Sequence, residues 1–134
     1  MIQEMNKTNI PIIASLGHVE NITDLASWDG ADFKTKLPLN TGILLHCVSE
    51  YPAKHPKLSK MKQLQLYVWE QYKAFAPYIG YSHHGTDWRE IVRATELGSV
   101  FCEFHYTLDK TMAGSDHWWS LDSTDLKQLA EAIK

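Results

Sequence analysis

Four short apolar runs, each closed by polar or glycine residues and followed by a helical pattern, limit what this chain can become. The runs are Ile10 to Ser15, Ile43 to Val48, Tyr78 to Ser82, and a segment from Gly98 through Val100 and Phe101 to His105. Continuous apolar runs of this length suit parallel strands buried on both faces. Between them lie helix signals. Asn21 can cap a short helix carrying Ile22, Leu25 and Ala26, which Gly30 stops. Ser59 opens the longest helix, with Met61, Leu64, Val68, Tyr72 and Phe75 at helical spacing, Trp69 widening the stripe and Pro77 ending it. Asp87 and Glu90 have the spacing of a capping box, and Gly98 supplies the stop. Asp122 caps a last helix bearing Leu126, Leu129, Ala130 and Ile133. Strands alternating with helices mean a parallel sheet with right-handed crossovers. The expected fold class is α/β: four strand–helix units, half of a (β/α)8 TIM barrel, in a single domain over residues 1–134. A four-strand piece curved for a barrel leaves two unpaired edges and an uncovered inner face, so it is expected to need a partner.

Composition narrows the function. A net charge of −3 gives no basic footprint for nucleic acid and no polybasic membrane patch. No apolar run approaches the roughly 20 residues of a membrane span, and the polar start, Met1 to Asn9, lacks the apolar core of a signal peptide. Cys47 and Cys102 fall in strand-like runs and read as buried free thiols of a reducing compartment, which fits a cytoplasmic location.

In an α/β barrel the chemistry sits at the C-terminal strand ends. The polar residues there are Ser15, then Ser49 and Tyr51, then Ser82 and His84, then His105 followed by Asp116. Imidazoles on neighbouring strand ends can share one divalent cation (Mn, Fe, Co or Zn), leaving positions for water and substrate. Such a cation could polarise a carbonyl. By spacing alone, a pair drawn from seven histidines is more often two ordinary surface or core residues than a metal site.

Four motifs add to this. Ile12-Ile13-Ala14-Ser15-Leu16-Gly17 is similar to an I-I-L-S-T-G turn, and Leu44-Leu45-His46-Cys47-Val48-Ser49-Glu50-Tyr51-Pro52-Ala53 to an LLHCTSEYPA strand. Gly80-Tyr81-Ser82-His83-His84-Gly85 is similar to a GYSDHT strand end. The run from Glu103 through His105 and Asp109 to Gly114-Ser115-Asp116-His117 is similar to an E-K-H-F-T-L-D-R-x-x-P-G-P-D-H segment. Together they resemble the sialic acid synthase (N-acetylneuraminate synthase) family over nearly the whole chain.

The resemblance implies a transferase that condenses phosphoenolpyruvate with N-acetylmannosamine or a related N-acetylated amino sugar to give a nonulosonic acid. It places the divalent metal, usually manganese (Mn2+), on His84 and His105. It places Ser15, Ser49 and Ser82 against phosphoenolpyruvate, and Tyr51 and Asp116 against the sugar. Glu103 becomes the acidic residue near the metal histidines, and the catalytic set is His84, His105, Asp116 and Glu103. The match covers the C-terminal half of the family's barrel. The first four units, with the lysines that grip phosphate and carboxylate, and the antifreeze-like domain lie outside it. The implied assembly is a homo-oligomer or a complex with a chain supplying the first half.

Departures from the pattern favour a rival from another class: a non-catalytic half-barrel that binds metal or sugar, regulatory or degenerate. His83 stands where the family has Asp, Phe104 replaces a basic residue, and Ala113 and Ser115 replace loop prolines. The remaining residues read structurally. His46 is expected to be a hydrogen-bonded core residue, and His18 and His55 solvated loop residues. His117 either lines the site or packs the loop. Trp118 and Trp119 either cover the site mouth or form an apolar patch for a partner.

Overall fold

A computed structural model describes residues 4, 7–17, 41–72 and 77–134 of the chain. The four strands are β1 (Ile12–Ser15), β2 (Thr41–Cys47), β3 (Tyr78–His83) and β4 (Cys102–Phe104). Between and after them lie helices α1 (Leu58–Tyr72), α2 (Arg89–Glu96) and α3 (Ser123–Ala132). The strands form one parallel sheet in the order β1-β2-β3-β4. This is the half-barrel that the alternation of runs predicts. The expected helix at Asn21 and the His18 loop fall outside the described residues.

Side chains on a strand alternate between the faces of the sheet, so each strand serves two environments. One face packs on the helices. Leu44, Ile79 and Tyr81 meet Met61, Leu64 and Val68 of α1, Ile91 and Ala94 of α2, and Leu129 of α3 in a single core. Met61, Leu64 and Val68 of the α1 stripe are buried as their spacing requires, Trp69 is 61% exposed and does not widen it, and the side chains of Tyr72 and Phe75 lie outside the described residues. The other face carries Ser15, Ser82 and Glu103, and there Ser82 pairs in register with Cys47 and Glu103.

Gly80 lets the strands approach. A Cβ at this position would lie 2.5 Å from Leu45 Cδ2 and 2.7 Å from the Phe101 carbonyl oxygen. Gly98 ends α2 with φ +96°, a conformation side chains rarely adopt. Asp122 caps α3 as expected: its carboxylate accepts from the Thr124 and Asp125 amides, and the Asp125 side chain accepts from the Asp122 amide. The expected Asp87/Glu90 box does not form. Trp88 occupies the cap position, so Asp87 precedes it and accepts the Arg89 amide at 3.0 Å. Glu90 turns inward instead, 3.4 Å from His83 Nδ1.

Candidate functional site

The end of β3 sets the first imidazole. Ser82 and His84, two residues apart, share a face, while Tyr81 and His83 face the helices. His84 is buried, and its Nδ1 lies 2.8 Å from the Val48 carbonyl oxygen. A carbonyl only accepts, so Nδ1 carries the proton and Nε2 of the neutral ring presents a lone pair. Nε2 is 3.1 Å from Ser82 Oγ, and that hydroxyl donates to Glu103 Oε1 at 2.7 Å. A hydroxyl has one proton. With it given to Glu103, Nε2 receives no donor, the condition of a nitrogen able to bind a cation.

The second imidazole follows β4. His105 is partly exposed, and its ring centroid is 5.7 Å from that of His84 at an interplanar angle of 84°. Two imidazoles can adopt this spacing around one divalent cation at nitrogen–metal lengths of about 2.1 Å. The carbonyl bonded to His84 Nδ1 matches the outer support that metal-binding histidines ordinarily have. The donor set therefore suits a cation held by two imidazoles. Among the described residues no group of three His, Cys, Asp or Glu converges to enclose one.

The other residues singled out in the sequence gather near this pair to different degrees. Tyr51 stacks on His84 at 4.4 Å between centroids and stands edge-on to His105 at 6.0 Å. Asp116 Oδ2 is 3.9 Å from His105 Nδ1. Glu103 meets His84 through Ser82, as described. Ser15 Oγ lies 3.2 Å from Cys47 Sγ, and Ser49 Oγ donates to the Gly17 carbonyl at 2.7 Å. Those two hydroxyls mark the β1 and β2 end of the rim. Burial pushes the Cys47 thiol above its ordinary pKa and keeps it protonated.

His83 behaves differently from what its place beside His84 suggests. Its side chain is 1% exposed on the helix side, near Tyr81 and Glu90, and its Nε2 has no hydrogen-bond partner. Burial first, then the neighbouring His84, lowers its pKa to about 4, so the contact with Glu90 is not an ion pair near neutral pH. Support of His84 comes from Val48 and not from position 83.

His46 is a buried core residue whose Nε2 donates to the Pro56 carbonyl, and His55 is exposed, both as expected. Thr107 Oγ1 donates to the Asp109 carbonyl, so the His117 Nδ1 at 2.8 Å must donate to Thr107. His117 thus packs the loop. Both cysteines are free. One participant escaped the sequence reading: the Val48 carbonyl has no side-chain signal at all. Of the two tryptophans expected either to cover the site mouth or to form a patch for a partner, Trp119 is 2% exposed and lies 4.4 Å from the His105 ring.

The model of the NeuB family matches residues 1–134. The chain belongs to the NeuB family. It is 33% identical over 140 residues to the N,N'-diacetyllegionaminic acid synthase of Campylobacter jejuni, covering 99% of this chain and 38% of that protein. It is 37% identical over 100 residues to the human N-acetylneuraminate-9-phosphate synthase, covering 72% of this chain and 26% of that protein. The solved N-acetylneuraminic acid synthetase of Leptospira borgpetersenii superposes with a TM-score of 0.73 and 27% identity, covering 98% of this chain and 43% of that one. The chain thus spans well under half the length of these relatives. The curated relatives include synthases of N,N'-diacetyllegionaminic acid, N-acetylneuraminate 9-phosphate and pseudaminic acid.

Proposed function

We propose that this NeuB chain forms the metal- and phosphoenolpyruvate-binding half of a nonulosonic acid synthase, acting on an N-acetylated amino sugar such as N-acetylmannosamine. The convergence of His84 and His105 on one rim, 5.7 Å apart, is the observation that carries it. The two imidazoles would hold a divalent cation, Mn2+ in this reading, and the cation would supply Lewis acidity toward the sugar carbonyl. The protein's own part is to orient. Val48 fixes the His84 tautomer, and Glu103 takes the Ser82 proton so that Nε2 stays free. The hydroxyls of Ser15, Ser49 and Ser82 are candidates to bind the carboxylate or phosphate of phosphoenolpyruvate. Tyr51 (58% exposed) and Asp116 are candidates to contact the sugar.

The proposed partner is the complementary four-unit half of the barrel, in a homo-oligomer or a mixed complex. Among the described residues β4 pairs only with β3. Beside that edge lies an apolar cavity of about 300 Å³ lined by Ile91, Val100, Phe101, Phe104, Leu129 and Ile133. A closed barrel has no such edge. A cytoplasmic setting is in keeping with the free thiols, and no described helix is long and apolar enough to cross a membrane.

Phosphate release from phosphoenolpyruvate tests the proposal, measured with Mn2+, N-acetylmannosamine and a chain supplying the first four units. Turnover abolished by His105→Ala is expected. No turnover with any amino sugar or pairing contradicts it. A non-catalytic binder is the second reading, favoured by the two-ligand donor set. Mn2+ binding without turnover would select it.

A further inference from the structure

Four rings close on one another around the candidate site. Tyr51 stacks on His84, His84 meets His105, His105 packs on Trp119 at 4.4 Å and 49°, and Trp119 returns to Tyr51 at 5.9 Å. Of the four, Trp119 is the largest and is almost fully buried, whereas His105 and Tyr51 are partly open to solvent. Its neighbour Trp118 is 59% exposed, so the pair splits between a buried wall and the surface.

The backbone around Trp119 is tied to the same strand. The Leu121 amide donates to the His105 carbonyl at 3.0 Å, and the Thr107 amide donates back to the Leu121 carbonyl at 2.9 Å. Ser120 donates to the Asp116 carbonyl through its amide at 3.2 Å and its hydroxyl at 2.6 Å. One turn therefore grips the backbone of both residues that face each other as His105 and Asp116. An imidazole exposed on one side has several accessible orientations, and each costs affinity if it must be frozen on binding. A buried indole against the opposite face removes those orientations beforehand.

We propose that Trp119 is a positioning residue: its indole wall, and the turn it begins, hold the imidazole of His105 toward His84. The inference rests on the reading that this pair shares a divalent cation, but the geometry it concerns exists without one. Trp119 is almost fully buried, and the role assigned to it is exerted through the His105 ring. It differs in this from Tyr51, which reaches the open side of the site.

The test compares Trp119→Leu, Trp119→Phe and the surface control Trp118→Leu. Proton NMR of the metal-free protein reads nuclear Overhauser contacts between the His84 and His105 rings and between His105 and the indole. Electron paramagnetic resonance reads Mn2+ affinity. Both ring contacts are expected in the wild type. Trp119→Leu should lose the histidine–histidine contact and at least about tenfold in Mn2+ affinity, the scale set by outer supports of metal ligands. Trp119→Phe should restore both in large part, and Trp118→Leu should change neither. A folded Trp119→Leu with wild-type ring contacts and Mn2+ affinity overturns the proposal. Should that variant not fold, the wild type still decides, because the absence of any His105–indole contact overturns it equally. A wild type that shows both ring contacts but binds no Mn2+ would sink the metal reading and leave the positioning role standing.

Discussion

His83 shows how one residue can sit beside a site and yet belong to the core. Its folded pKa is lowered from the ordinary 6.5 to about 4, mainly by burial. Between those values the unfolded chain binds the proton and the folded chain does not. Stability is therefore present above about pH 6.5 and is lost as pH falls toward 4. At about 1.4 kcal/mol per unit the effect is on the order of 3 kcal/mol. Glu90 opposes part of it, since burial raises its pKa and its protonation favours the folded state. Replacing His83 with Asn removes the titrating ring. Urea unfolding of His83→Asn at pH 7 and pH 4.5 is expected to show a smaller drop than the wild type. Equal drops in the two proteins would show that the slope arises elsewhere.

Elements were legible where the signal was local and complete. β3 matches its apolar run, and Asp122 caps α3 where the sequence places it. The α2 start was misread because a capping box needs its acid at the cap position, and Trp88 holds that place. β4 is three residues long, since the chain soon leaves the sheet for the loop that carries Asp116. At the site, the histidine positions were legible from motifs, but their mutual geometry depends on Val48 and Trp119. A backbone carbonyl leaves no mark in a sequence, and two adjacent tryptophans look alike until one is buried. The α2 stop gives a test at this scale. Gly98→Ala places a Cβ at φ +96° and 3.3 Å from Gln65 Nε2. A loss of about 1–2 kcal/mol is expected by chemical denaturation, the cost of a left-handed conformation for a side chain. An unchanged midpoint would mean that the turn relaxes freely.

At the scale of the molecule, a sheet covered by helices on one face and, among the described residues, open at β4 resembles a unit of a larger barrel. Val100 is 58% exposed and Ile133 is 52% exposed, beside the apolar cavity. Burying them against a partner would remove apolar surface from water at about 25 cal/mol per Å². The double variant Val100→Asp with Ile133→Asp is expected to weaken association while leaving the melting temperature of the isolated chain nearly unchanged. Light scattering after size exclusion checks this, and an assembly unaffected by both charges would place the interface elsewhere. The central claim is that His84 and His105 act as one cation site. Mn2+ titration of the wild type, His84→Ala and His105→Ala, followed by electron paramagnetic resonance, tests it most directly. The account predicts one site in the wild type, weakened at least about 100-fold by either substitution, beyond the range for outer supports. Wild-type protein that binds no Mn2+, or binds it equally well without either ring, would contradict it.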